Sequence, residues 1–169
     1  PIPLRDLVRD VVSLPTLAYC EGEVVRYIRA FAAERGLDCT EDRYGNVSVT
    51  YGKGRRRRPL VLGAHMDHPG FIVTATKGRR LTLEFRGGLS AEYGKGERVR
   101  IYSLGDGSTL GYAEVTSVQS VAPPGRPGRR LTGAKATLLD GATAAVGDVL
   151  PPGVDIHAYA ALLALAGGA

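Results

Sequence analysis

The chain has 169 residues, of which 44% are hydrophobic and 23% are charged, so it can bury the core of one domain or two small ones, and wholesale disorder is excluded. Lysine and arginine outnumber aspartate and glutamate by 22 to 17, and the net charge of +5 raises the question of a nucleic-acid partner. The sequence shows no membrane span and no signal pattern, and Cys20 and Cys39 cannot form a disulfide framework. We therefore expect a reduced, cytoplasmic protein without a membrane partner.

Two amphipathic helices are predicted at the start of the chain. The first is indicated by apolar residues at helical spacing, namely Leu4, Leu7, Val8, Val11 and Leu14. The second carries on one face the residues Val24, Ile28, Phe31 and Ala32. Gly36 follows at the position where a left-handed residue commonly ends a helix. Each helix needs another element to cover its apolar face.

A strand and a strongly basic loop come next. Residues 47–51 alternate between apolar and polar types, as in a half-buried strand, and they follow a turn cluster at residues 42–46. Lys53 and residues 55–58 then place five positive charges within six residues, which accounts for the whole charge excess. No aromatic residue in this run offers base stacking, so we interpret it as a solvated hairpin loop. Nucleic-acid binding by a weakly basic protein is the less favoured alternative.

Residues 60–64 form a continuous apolar run, which predicts a strand covered on both faces, as in an α/β sheet. Ligands of such sheets gather at the carboxyl ends of the strands. His65, Asp67 and His68 follow directly at this end. The position therefore favours a chemical role for these side chains.

From residue 71 onward the pattern changes to short strand-like runs separated by turn residues. The runs cover residues 71–76, 80–85, 98–102, 110–121, 135–139 and 148–150. Such strands predict a small barrel or sandwich, and helical periodicity returns only at residues 157–166. The predicted fold is an α/β portion at residues 1–70, an inserted β-rich unit at 71–150 and a return to the α/β portion, as a helix, at 151–169.

The sharpest chemical signal is the His-x-Asp pattern of His65 and Asp67. Histidine is the commonest metal ligand, and a ligand imidazole normally donates its other ring N–H to a carboxylate or a carbonyl. Residues i and i+2 of an extended segment point to the same side, so Asp67 could support His65 or bind a metal beside it. The pattern by itself also suits a loop histidine next to a turn, but its place after the predicted strand favours metal binding.

Residues 42–47 (D-R-Y-G-N-V) and 59–71 (P-L-V-L-G-A-H-M-D-H-P-G-F) resemble the start of the dizinc aminopeptidases of the deblocking or tetrahedral type. The resemblance extends over residues 1–75 by motif and over 76–150 by the order of elements. It implies that His65 binds one of two divalent ions, zinc or alternatively cobalt or manganese, and that Asp67 is the catalytic-site residue that orients it. It also implies a peptide substrate, release of its N-terminal amino acid, and a homo-oligomer assembled through the β insertion.

The chain departs from this family pattern in two places. His68 and Pro69 stand where the family commonly has an acidic residue and then a small or apolar one. After the insertion the family supplies a bridging aspartate, paired catalytic glutamates and a last histidine, which this sequence does not match. We therefore expect the N-terminal part of such an enzyme, or a version without the catalytic remainder, that is inactive alone. The alternative is that residues 71–150 act as a non-catalytic interaction or assembly module.

Four further residues are weaker candidates for the site. His68 lies beside a proline and is expected to form a turn or to support a ligand. Asp155 and His157 could complete a minimal site with His65, although the cap of a polar helix start explains Asp155 better. Glu92 lies between two predicted strands, where a solvated loop is expected.

Overall fold

The computed structural model describes residues 3–52, 60–125 and 127–151. The predicted basic loop at residues 55–58 and the predicted helical tail lie outside these residues. The described part contains two helices, a two-stranded sheet and a six-stranded barrel. The interpretation of residues 1–70 as a portion of an α/β domain, and the domain boundaries drawn from the sequence, stay predictions.

The two predicted helices are confirmed as α1 (Leu4–Val12) and α2 (Gly22–Ala33). In the apolar stripe of α1 Leu4 is exposed and the other members are half-buried, whereas α2 buries Val24 and Ala32. Gly36 has a φ of 61°, and the backbone N–H of Leu37 donates to the carbonyl of Ala32 at 3.0 Å. This left-handed turn closes the C-terminal end of α2 as the sequence predicted.

A small antiparallel sheet follows, with strands β1 (Asp38–Glu41) and β2 (Val47–Thr50). The Asp42 carboxylate holds the turn between them, because it accepts hydrogen bonds from the Asn46 side chain at 2.8 Å and from the Tyr44 backbone N–H at 2.8 Å. These hydrogen bonds lower the pKa of Asp42, and the bond from the Asn46 side chain contributes most. Turn and strand agree with the prediction, although β2 is more exposed than a half-buried strand.

The six predicted short strands close into a barrel, so the barrel prediction is confirmed over the sandwich. The strands are β3 (Gly70–Lys77), β4 (Arg80–Arg86), β5 (Arg98–Tyr102), β6 (Thr109–Val121), β7 (Arg130–Leu138) and β8 (Val149–Leu150). Their order around the barrel is β3-β4-β7-β6-β5-β8, and every neighbouring pair is antiparallel. The strand β7 begins five residues before the predicted run.

The barrel encloses its own hydrophobic core. Alternate residues of the strands point inward, and Val99 and Ile101 of β5 are 2% and 0% exposed. Phe71 and Phe85 meet edge to face with their ring centroids 5.1 Å apart. On β7 Gly133, which precedes the inward-facing Ala134, has no room for a side chain, because a Cβ there would lie 2.7 Å from the carbonyl oxygen of Leu83 on the neighbouring strand. Small residues on β7 therefore let the barrel close tightly.

The prediction of a buried strand at residues 60–64 is wrong. These residues form no strand, and the side chains of Leu60, Val61 and Leu62 are more than 80% exposed. A strand needs a neighbour that accepts and donates its backbone hydrogen bonds, and within the described residues β2 pairs only with β1. Residues 60–69 are therefore an irregular connection between the small sheet and the barrel.

None of the helices in the described part of the chain is long and apolar enough to cross a membrane.

Candidate metal-binding site

The segment that carries His65 and Asp67 is held on one side by the loop between α1 and α2. The hydroxyl of Thr16 donates a hydrogen bond of 3.0 Å to the carbonyl oxygen of Met66. Thr16 and Leu17 are fully buried, at 1% and 0% exposure. The bond fixes the backbone between His65 and Asp67, because its donor sits on a loop that is itself packed in place.

The other side of the segment is fixed by close packing against the barrel. A Cβ on Gly70 would lie 3.1 Å from the Leu17 side chain, and a Cβ on Gly87 would lie 2.5 Å from that of Pro69. Arg86, at the end of β4, donates a hydrogen bond of 2.9 Å to the carbonyl of Ala18. The helix loop, the connecting segment and the barrel thus meet at one junction, next to which His65 and Asp67 lie.

His65 and Asp67 lie side by side near solvent, as their spacing predicted, but they follow an irregular segment and not the buried strand that was expected before them. The Nδ1 atom of His65 is 3.0 Å from the backbone oxygen of Asp67 and 3.2 Å from its Oδ1 atom. Both oxygens are acceptors when the carboxylate is ionised, so this arrangement requires the ring proton on Nδ1. The lone pair of the neutral ring then lies on Nε2, and the side chain is 83% exposed. This is the tautomer in which an imidazole binds a metal through Nε2.

The described residues supply one ligand of this kind and not a complete site. No group of three or more histidine, cysteine, aspartate or glutamate side chains within residues 3–52, 60–125 and 127–151 is arranged to hold a metal ion. Zinc sites in proteins have three or four protein ligands. His65 therefore suits the role of one imidazole ligand of a zinc, cobalt or manganese ion, and Asp67 suits the role of the carboxylate that supports it.

The weaker candidates do not join this pair in the described structure. His68 is half-buried, and no hydrogen bond in the described part of the chain links it to His65 or Asp67. Asp155 and His157 lie outside the described residues. Glu92 is exposed in a short 3₁₀ turn (Ala91–Tyr93), which agrees with the solvated loop expected for it.

Sequence reasoning missed Thr16, the residue that fixes the backbone of the site. The only local signal is its position between Pro15 and a buried leucine in the loop after α1. Its partner is 50 residues away along the chain, so no short-range pattern could reveal the bond.

Cys20 and Cys39 are free, half-buried thiols. Burial raises the pKa of the Cys20 thiol, and the neighbouring Arg86 guanidinium, 3.8 Å from the sulfur, offsets only part of that effect. A raised pKa favours the protonated thiol, which is a weaker nucleophile and metal ligand than the thiolate.

Comparison with known proteins relates part of the chain to two hydrolases. Over 71 residues it is 35% identical to the cytosol non-specific dipeptidase of Escherichia coli strain K12, a match that covers 40% of this chain and 14% of the dipeptidase. Over 71 residues it is 37% identical to the LysW-lysine hydrolase of Deinococcus radiodurans, covering 40% of this chain and 18% of that protein. No protein-family model matches the chain. The chain thus spans less than a fifth of either relative, and part of it is similar to a dipeptidase and to another hydrolase.

Proposed function

We propose that this chain belongs to a metal-dependent aminopeptidase, an enzyme that hydrolyses the N-terminal residue from peptides. The observation that carries the proposal is the His65–Asp67 pair, in which the carboxylate and backbone oxygens of Asp67 fix the ring so that Nε2 faces outward. The partial identity to a dipeptidase and to a second hydrolase supports the same chemical class. The name of the dipeptidase also supports a cytoplasmic location.

In this proposal each residue has a limited and definite task. His65 holds one of two divalent ions, which in a complete site polarise the scissile carbonyl and lower the pKa of bound water. Asp67 keeps the proton on Nδ1 and fixes the ring plane. Thr16 fixes the backbone carbonyl of Met66 between them. Among the described residues no cluster of three or more possible ligands completes the site, and we assign no residue of this chain as the general base.

A zinc titration of the chain tests the role of His65. We expect weak binding that is lost in His65→Ala, while the free energy of unfolding changes by no more than about 0.5 kcal/mol, because an exposed side chain contributes little packing. His68→Ala is the matched control, and it should leave zinc binding unchanged. Calorimetry at high zinc concentration measures the first quantity and urea unfolding the second. Zinc binding that persists in His65→Ala, or a large loss of stability, would rule out the proposed ligand.

A second candidate function is a non-catalytic interaction module that forms homo-oligomers through the barrel. It is favoured by the closed barrel of Gly70–Leu150, which has its own core of buried residues. The zinc titration distinguishes the aminopeptidase from the interaction module. A module that only binds other copies of the chain has no use for a metal ligand, so it should show no zinc binding through His65. The two functions are also compatible, as parts of one enzyme.

A further inference from the structure

The outer face of the barrel carries a polar groove that the proposed active site does not use. It lies across β3, β4, β7 and β6 and has a volume of about 780 Å³. Its described lining contains three cationic side chains and five hydroxyl side chains but no carboxylate. The cations are Lys77, Arg80 and Lys135. We call this surface the cationic groove.

The three cations of this groove repel one another when no anion is bound. Lys77 and Arg80 stand directly opposite each other at the end of the β3–β4 pair, and like charges in this position repel. None of the ion pairs formed among the described residues involves Lys77, Arg80 or Lys135. Arg79, in the same hairpin, is by contrast paired with Asp140 at 2.9 Å. An anion in the groove would relieve the repulsion that the fold leaves there.

Hydroxyl groups next to these charges add directed hydrogen-bonding capacity, except that of Thr116, which already donates to the carbonyl oxygen of Lys135 at 3.1 Å. The ammonium of Lys135 donates to the Thr82 hydroxyl at 2.8 Å, so it lies across the boundary between β7 and β4. A hydroxyl that accepts this bond keeps its own proton to donate outward. Most residues of the central strands are paired in the barrel ladders, which are interrupted in this region at Thr116 of β6, so side chains provide most of the recognition.

We propose that the cationic groove binds a ligand that carries adjacent phosphate groups. Phosphate oxygens accept several hydrogen bonds at once, and a lysine, an arginine and hydroxyls on different strands can approach them from several directions. Three cations and a volume of about 780 Å³ exceed the need of a single phosphate. The described lining includes Ala75 and Ala136 but no aromatic side chain, so the groove recognises phosphates and not a stacked base. A free polyphosphate and the backbone of a single-stranded nucleic acid share this chemistry.

Binding of tripolyphosphate, measured by calorimetry on the full chain at low salt, tests this proposal. We expect saturable binding that weakens at least tenfold in the double variant Lys77→Ser/Arg80→Ser. The matched control is Arg5→Ser/Arg43→Ser, which has the same net charge but changes exposed residues outside the barrel, and it should bind like the parent chain. Lys135→Met is a second, independent variant and should also weaken binding. Circular dichroism checks that every variant is folded.

Competition identifies the source of the phosphates. Displacement of tripolyphosphate by oligothymidylate assigns the groove to a nucleic-acid backbone, and failure to displace it assigns the groove to free polyphosphate; both results agree with the proposed chemistry. The proposal is overturned if tripolyphosphate does not saturate the chain, if the control variant weakens binding as much as the groove variants, or if citrate binds as tightly as tripolyphosphate.

Discussion

The purified 169-residue chain is expected to release no amino acid from leucine or glutamate anilides above the background of His65→Ala, even with zinc or cobalt added. The matched motif provides one imidazole and its orienting carboxylate, and the described residues hold no further cluster that could complete a metal site. A general base contributes roughly 10²- to 10⁴-fold to such reactions, and none is identified here. A site without a base and a second ion lacks the main sources of rate enhancement.

The assay compares the parent chain with His65→Ala at equal metal concentration. His65 is exposed, so the variant keeps the fold and any difference reports on chemistry. Turnover that His65→Ala abolishes would contradict the expectation. It would show that Asp155, His157 or Glu92 supplies a ligand or a base that we assign to other roles.

The second large effect is expected in the barrel core. Ile101→Ala should lower the free energy of unfolding by about 2–5 kcal/mol, because it removes a fully buried side chain and leaves a cavity. Ile101 is 0% exposed and points inward between β6 and β8. Leu104→Ala is the matched control, since Leu104 lies three residues later, just after β5, and is 48% exposed. The control should change stability by no more than about 0.5 kcal/mol.

Urea unfolding followed by circular dichroism measures both variants. A loss in Ile101→Ala as small as that of the control would mean that β5 does not contribute to a closed core. Tripolyphosphate binding and zinc binding should both survive in any folded population of Ile101→Ala, because neither proposed site includes this residue.

Most of the barrel could be predicted from the sequence because its signals are local. Apolar residues alternate along the strands, and glycine-containing turns separate them, so each strand is visible within a few residues. The start of β7 was missed because the apolar pattern is interrupted by Thr132 and by Gly133, where the close approach of β4 leaves no room for a side chain. Closure of the barrel instead of a sandwich depends on β8 pairing with both β3 and β5, which is a long-range property.

The apolar run at residues 60–64 shows where local reasoning fails. A continuous apolar run predicts a strand that is covered on both faces of a sheet. Such a strand must pair with a neighbouring strand, and the described residues offer none at this place. The exposed side chains of Leu60, Val61 and Leu62 are the result. For the site, the spacing of His65 and Asp67 was sufficient to predict their contact, whereas the bond from Thr16 was not visible in the sequence.

We expect Asp67 to hold His65 in the tautomer that presents Nε2 to a metal, and NMR of the histidine ring nitrogens can observe this tautomer. The three histidines of the ¹⁵N-labelled chain can be assigned with His65→Gln and His68→Gln at mildly alkaline pH. We predict that the His65 proton lies on Nδ1 and that added zinc shifts or broadens the Nε2 signal of His65. A proton on Nε2, or a zinc effect on His68 or His157 that leaves His65 unchanged, would exclude this role for Asp67 and His65.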